Sequence, residues 1–567
     1  MRGRVARIRR RPGAAIAALV LVGAVFAGCA GIPTGGRVTT TTIDTGVVED
    51  DLGTLATGPA ADATPDEIIE GFIRAGRDPQ NQYAVAREYL TDELATQWLP
   101  TERVLVSAST IVPQAVTGST YSVAVAVSAS VDADGRYSTV LPVSSEQWSV
   151  ALVQNDKGQW RISSVPNGTV LPPSRFRSIF DAYELYFFDP SFHFLVPELR
   201  WFVSRNVASR IVSELLNGPS APYAGALLSA FPAGTKLTRG GVTISSGRAT
   251  VPLSSEVQGE SALSAARMQS QLSASLSSLS NVVSVVVSVG GFVLDTAEAG
   301  SPPDQNPQVG ADPVGAQGGA FGLLTTDGVS RLAAIGASAD ALAPDAASLA
   351  SDRQAAAVRA TRGAAGVFLV RGGADPVLLD SRPGLVAPSL DSDGFTWSVP
   401  AGHPDALLAI SPTGTALPIA GLPSGAQLVS LDVSRDGARL LVALQTPAGP
   451  ELRVAGIVRA SNGTPSALVA PAISLAVGAS PLIDATWVDG AQVATLSGAG
   501  ADTEVDLYEI GGEHLSLGSV DSGVQLVGGN TAQGLRVRDA EGRVRRPSGG
   551  STWQDTGIVA SFLATQQ

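Results

Sequence analysis

Ser434-Arg435-Asp436-Gly437-Ala438-Arg439-Leu440 lies between two short apolar runs, Leu431–Val433 and Leu440–Leu444. An Asp-Gly pair in that position marks a tight turn: the short carboxylate bonds nearby amides, and glycine takes the positive φ that the turn needs. Two related turns stand on either side, Asp393-Gly394-Phe395-Thr396-Trp397 and Trp487-Val488-Asp489-Gly490. Their spacing of about 40–50 residues is the period of a four-stranded propeller blade. Further short strands fit the pattern: Phe321–Leu324, Val367–Val370, Leu407–Ile410, Ala485–Val488, Val493–Leu496 and Leu507–Ile510, each set against Gly, Pro or Asp turn residues. Residues 320–567 are therefore expected to form an all-β propeller of about six blades, its last strand, near Ile558–Phe562, closing on the first blade.

Working outward, residues 297–319 are dominated by Ala, Gly, Pro, Asp and Gln and read as a linker. Before them, residues 205–296 carry a helical stripe (Val207, Ile211, Leu215) that stops at Asn217-Gly218-Pro219. Two strand candidates follow, Val242–Ile244 and Ala249–Leu253. A helix over Ser261–Leu279 then faces Met268, Leu272, Leu276 and Leu279 inward, and the strand Val282–Val289 ends the unit. The order resembles an α/β GerMN domain through Leu216-Asn217-Gly218-Pro219, Phe231-Pro232-Ala233-Gly234-Thr235 and Val287-Ser288-Val289-Gly290-Gly291. Residues 174–204 form an aromatic junction, from Phe176 through Val196-Pro197-Glu198-Leu199-Arg200-Trp201, read as packing that joins two domains or as an exposed recognition surface. Residues 64–173 open with the capping box Thr64-Pro65-Asp66-Glu67 and a helical face of Ile68, Ile69, Phe72 and Ile73. A second helix is expected over Tyr83–Trp98. The period then changes to two, through Val123, Val125 and Val127 and a hairpin at Asn155-Asp156-Lys157-Gly158. Helices followed by a hairpin-rich sheet make an α+β domain, and its closing Trp160-Arg161-Ile162 resembles the end of an NTF2-like cone, whose interior would suit a small carried ligand.

Residues 1–28 contain six arginines and no acid, followed by an apolar run from Ala14 to Ala27 that is too short to span a bilayer. This is a signal peptide. Phe26-Ala27-Gly28-Cys29 resembles the lipobox of bacterial lipoproteins, which implies a diacylglycerol on the Cys29 thiol, cleavage before it and acylation of the new N-terminus. Cys29 is the sole cysteine; no disulfide within the chain can compete for it. Residues 29–63, with the run Thr39-Thr40-Thr41-Thr42, read as the lipidated cysteine and a flexible tether. Without residues 1–28 the formal charge of −13 becomes −19, which speaks against nucleic acid as a partner and against electrostatic adhesion to anionic lipid. The acyl chains on Cys29 are then the expected membrane attachment, with the rest of the chain on the extracytoplasmic face of the cell membrane.

No set of residues points to catalysis, a cofactor or a metal. His193, His403 and His514 fall far apart, and no Gly-x-Ser-x-Gly elbow, Ser-x-x-Lys pair or phosphate-binding loop occurs. Asp132-x-Asp134-Gly135 and Asp391-x-Asp393-Gly394 lack the further ligands of a calcium loop and read as hairpin turns. The alternation Asp502, Glu504, Asp506 reads as the solvent face of a strand.

Taken whole, the order of segments resembles the actinobacterial LpqB lipoprotein family. That resemblance implies an accessory lipoprotein of the MtrA–MtrB two-component system, binding the extracytoplasmic domain of the sensor histidine kinase and modulating cell-wall and division signalling, without enzymatic activity. The alternative is a surface lipoprotein that binds or processes a cell-wall polymer.

Overall fold

The structure, a computed structural model, describes residues 56–294, 302–360 and 363–567. It opens with the helix Pro65–Ala75, whose capping box is complete: the Thr64 amide donates to the Glu67 carboxylate at 2.8 Å, and the Glu67 amide donates to Thr64 Oγ1 at 3.4 Å. Ile68, Ile69, Phe72 and Ile73 are buried against a six-stranded sheet. The long central strand Thr120–Asp132 shows why the sheet forms there. Tyr121, Val123, Val125, Val127, Ala129 and Val131 are buried on one face, while Ser and Ala alternate on the other. Phe72, Trp98, Trp148 and Ile162 fill the interior of this α+β region. The single helix expected over Tyr83–Trp98 is instead broken. Tyr83 has φ 61°, the short helix Ala84–Arg87 ends early, and Leu90 forms a β-bridge with Ile162. Thr91 then caps a new helix, Asp92–Gln97, by accepting from the Leu94 amide. Apolar spacing alone did not reveal that the Thr91-Asp92-Glu93 start signal outweighs continuity of the stripe.

The short helix Pro173–Ile179 leads into a hairpin of two strands, Phe180–Phe188 and Leu195–Val203. The middle domain follows. Its four-stranded sheet pairs Arg248–Leu253 in parallel with Ser284–Val289, and the crossover between them is the helix Ala262–Leu276, capped by Ser261. Met268, Leu272 and Leu276 of that helix pack with Ile211 and Leu215 of the helix Val207–Asn217 in one core. Tyr183, Leu185 and Phe187 of the hairpin belong to the same core. The expected strand from Val282 begins two residues later, and Val283 is 87% exposed.

The C-terminal region is all-β apart from the helix Gly336–Leu342 and two 3₁₀ turns. Sequence periodicity missed that helix because it is short, small and alanine-rich, with no apolar stripe. The chain enters this region earlier than Gly319: Val314–Gln317 is already a strand, and residues before it are fixed by paired hydrogen bonds between Val309 and Asn530. The closing strand is Phe562–Gln566 and not Ile558–Phe562; Ile558 belongs to the preceding strand, Trp553–Val559. Phe562–Gln566 pairs antiparallel with Val314–Gln317 and parallel with Pro344–Leu349, joining the start and end of the region in one eight-stranded sheet. Gly315 permits this closure, since a Cβ there would lie 2.2 Å from the Phe562 carbonyl oxygen. Four further sheets follow in chain order, the first opening at Ser389 and the last ending at Val559.

Neighbouring sheets are tied by a belt of side chains on their first strands. Ser348 Oγ accepts from the Leu390 amide, Ser389 Oγ from Val433, Asp432 from Trp487, and Thr486 Oγ1 from Gly528. A parallel series runs through Ser430 to Ala485, Asp484 to Leu526 and Gln525 to Leu563. Each bond carries a main-chain amide of one sheet to a side chain of its neighbour. The Asp-Gly turns share an aspartate acceptor but not one backbone: Gly394 and Gly437 take the expected positive φ, 82° and 70°, whereas Gly490 does not. Asp391, Asp436 and Asp489 each accept from two groups of their own loops, and Asp539 repeats the device with Glu541-Gly542 following it.

Candidate functional site

The aromatic junction is a core, as the packing reading expects, and not the alternative exposed recognition surface. Phe176, Phe180 and Trp201 are at most 8% exposed, with Phe176 centred 5.2 Å from Trp201 and Tyr137 likewise 5.2 Å from Trp201. The hairpin keys three regions together through its edges. The Trp201 amide donates to the Gly135 carbonyl at 2.7 Å, while its indole donates to the Gly511 carbonyl at 2.9 Å. Arg200, 2% exposed, bridges Glu198 at 2.8 Å and the Asp134 carbonyl at 2.8 Å. The other Glu198 oxygen accepts from the Ser220 amide of the middle domain. A buried charge of this kind persists because both its ion-pair partner and its remaining hydrogen-bond positions are filled. The Asp132-x-Asp134-Gly135 segment is a hairpin turn held by its own Arg136, and it docks on this edge.

Between these contacts lies a cavity of about 350 Å³, open to solvent and lined by all three regions. Arg136 and Tyr137 come from the first domain, Glu198 from the hairpin, Tyr223 from the middle domain, and residues 472–476, 508–512 and His514 from the C-terminal region. Tyr508 and His514 stack with ring centroids 5.9 Å apart. Glu509 is half-buried, and among the described residues it takes part in no ion pair. Burial raises its carboxyl above the usual range, and Glu184, Asp489 and Glu513 nearby push it the same way. Burial also pushes the Tyr508 hydroxyl up to about 12. The strand Ile473–Leu475 also lines the cavity and, among the described residues, pairs on one side only, with Leu452–Val454.

A smaller cavity of about 190 Å³ lies where the hairpin loop meets the C-terminal region, next to His193, Asp189 and Asp436. Behind it Arg459 is fully engaged: it bonds Asp391 at 2.6 Å, Asp393 at 3.1 Å and the carbonyls of Gly437 and Gly463. Burial raises the Asp393 carboxyl despite that arginine. This is a structural lock between two turns of the sequence repeat. The three histidines stay apart: His193 at this cavity, His514 at the larger one, and His403 before the turn Pro404–Ala406. Among the described residues no group of three or more His, Cys, Asp or Glu side chains is placed to hold a metal, and no helix is long and apolar enough to cross a membrane. Cys29 lies outside the described residues. Sequence reasoning missed Glu509 and the strand Ile473–Leu475 as cavity walls. Asp502 and Glu504 are exposed as expected, whereas Asp506 is half-buried, and burial, with the Glu504 charge beside it, raises its carboxyl; nothing in the residue pattern marks where that face meets another domain.

Three family models match the chain. Residues 58–177 match the N-terminal domain of lipoprotein LpqB, residues 184–295 the sporulation and spore germination model, and residues 319–561 the LpqB β-propeller domain. Lipoprotein LpqB of Nocardia farcinica is 34% identical over 209 residues, covering 36% of this chain and 34% of that protein. Lipoprotein LpqB of Cutibacterium acnes is 26% identical over 285 residues, covering 50% of this chain and 48% of that protein. The aligned part thus spans about a third to a half of the curated relatives it matches. Among solved structures, the first GerMN domain of the sporulation protein GerM from Bacillus subtilis aligns with 21% identity over 22% of this chain and 95% of that one, at a TM-score of 0.18.

Proposed function

Since this chain belongs to the LpqB lipoprotein family of actinobacteria, we propose that it is an extracytoplasmic lipoprotein, anchored through acyl chains on Cys29, that acts as the accessory partner of a sensor histidine kinase of the MtrA–MtrB type. In this reading the N-terminal domain is an NTF2-like cone, and the C-terminal region is a six-bladed propeller in which the eight-stranded sheet counts as two blades. The observation that carries the proposal is the fit of both LpqB-specific models to one chain, on either side of a GerMN-like domain. The interlocked hairpin supports it physically. A rigid body made of three regions presents one fixed surface to a partner, with little ordering cost on binding. The interior of the first domain, filled by Trp148 and Phe72, supports the reading of that domain as a packed core.

The test is capture of the kinase's extracytoplasmic domain by the lipidated chain in vesicles, together with kinase phosphorylation in cells lacking the gene. Saturable capture and altered phosphorylation are expected. No capture and unchanged phosphorylation would overturn the proposal.

A further inference from the structure

We infer that the 350 Å³ cleft at the three-domain junction is a peptide-binding site, which takes an extended, positively charged segment of a partner protein as an added strand on Ile473–Leu475. Three independent features of the cleft support this. The first is an unpaired main-chain edge. Ile473–Leu475 pairs with Leu452–Val454 on one side, and among the described residues no strand or isolated bridge covers the other. Residues 472–476 line the cleft, which places this edge strand beside it. An open edge of this kind recruits an extended chain through main-chain hydrogen bonds, while neighbouring pockets sort its side chains.

The second feature is charge. Glu509 lines the same cleft and, among the described residues, has no ion-pair partner, and Glu184 and Asp489 lie close enough to raise its carboxyl further. The cations nearby are already committed. Arg136 is paired with Asp132 and Asp134, Arg200 with Glu198, and Arg177 with Glu513. The cleft therefore holds uncompensated negative charge in a chain of net charge −13, and a lysine or arginine of the incoming strand would neutralise it. The third feature is an exposed aromatic ring. His514, stacked on the buried Tyr508 at 5.9 Å beside Glu509, offers the aliphatic stem of a basic side chain a surface to lie on. The cavity volume is within the range of about 300–1,000 Å³ typical of such sites, enough for a few side chains and not for a folded domain. The inference does not depend on which protein supplies the strand and stands apart from the kinase reading.

The test uses the full chain in detergent and three fluorescein-labelled heptapeptides, measured by fluorescence anisotropy. One alternates valine and lysine, one replaces each lysine by glutamate, and one is the lysine peptide N-methylated at alternate amides. The lysine peptide should bind saturably, and the glutamate and N-methylated peptides at least about tenfold more weakly. Glu509→Gln, an isosteric change, should weaken the lysine peptide about tenfold. Asp502→Asn, which removes the same charge from an exposed position on the same hairpin, should leave binding unchanged. Ser474→Lys, exposed on the strand edge, should repel the peptide without disturbing the fold. Equal binding of lysine and glutamate peptides, tolerance of N-methylation, or equal losses with Asp502→Asn and Glu509→Gln would each overturn the inference, as would no saturable binding at all.

Discussion

Asp484 offers a quantitative test of how the C-terminal region is held together. Its carboxylate accepts from the Ala485 amide and, across the gap to the next sheet, from the Leu526 amide, both at 2.9 Å. Burial pushes this carboxyl up to about 7; the two amides oppose the shift and the neighbouring Asp432 charge adds to it. The unfolded chain should ionise near the ordinary aspartate value of about 3.9. The folded state then holds its proton longer than the unfolded one. Stability from this group is complete below about pH 4 and is lost as pH rises toward 7, because the unfolded state releases the proton first. At about 1.4 kcal/mol for each pH unit between the two values, the full loss is about 4 kcal/mol. Asp484→Asn removes the ionisation. Below pH 7 the folded chain holds the protonated acid, both of whose oxygens can still accept, whereas the NH2 of the amide cannot, so one belt hydrogen bond is lost at a cost of about 1 kcal/mol. The variant should be about 1 kcal/mol less stable than the parent at pH 4 and about 3 kcal/mol more stable at pH 8, with a crossing between pH 4 and 6. Urea unfolding followed by tryptophan fluorescence at a series of pH values reads this directly. A stability difference that stays constant from pH 4 to 8 would refute the reasoning, since it would mean that Asp484 ionises alike in both states.

Other expectations follow from single contacts. Arg459→Met strands Asp391, whose side chain is 0% exposed, and should cost about 3–5 kcal/mol of stability by chemical denaturation; adding Asp391→Asn should restore part of it. Trp201→Phe keeps the aromatic packing but loses the indole bond to Gly511, for about 1 kcal/mol and faster proteolytic cleavage between the hairpin and the C-terminal region. Thr64→Ala removes the capping box of Pro65–Ala75 and should lower stability by about 1 kcal/mol, measured by calorimetry. Cys29→Ser should abolish the acyl mass by mass spectrometry and release the chain from membranes with its fold intact by circular dichroism; full recovery in the membrane fraction would overturn the anchor.

Local chemistry determined much of this protein. The Thr64 capping box, the period-two burial of Thr120–Asp132, the helix stop at Gly218 and the Asp-Gly turns at 393–394, 436–437 and 489–490 all depend on residues within a few positions of one another. Hydrogen bonds and periodicity at that range are written in the order of side chains, so a stretch such as Ser434–Leu440 announces a turn between strands before any fold is known. Tertiary structure decided where those strands meet. That Phe562–Gln566 and not Ile558–Phe562 closes the C-terminal region depends on Gly315 admitting a carbonyl nearly 250 residues further along the chain. Nothing near either position encodes that pairing. The aromatic run at 176–202 was legible as apolar surface needing cover, but whether a partner or the chain itself covers it is settled by the Trp201–Gly511 and Arg200–Asp134 contacts. The cleft is legible least of all. Its walls come from five separate segments, and Glu509 and Ile473–Leu475 acquire a shared environment only because the hairpin holds three regions at fixed positions. Burial, charge imbalance and an uncovered strand edge are properties of that packing, and a linear pattern carries no record of them.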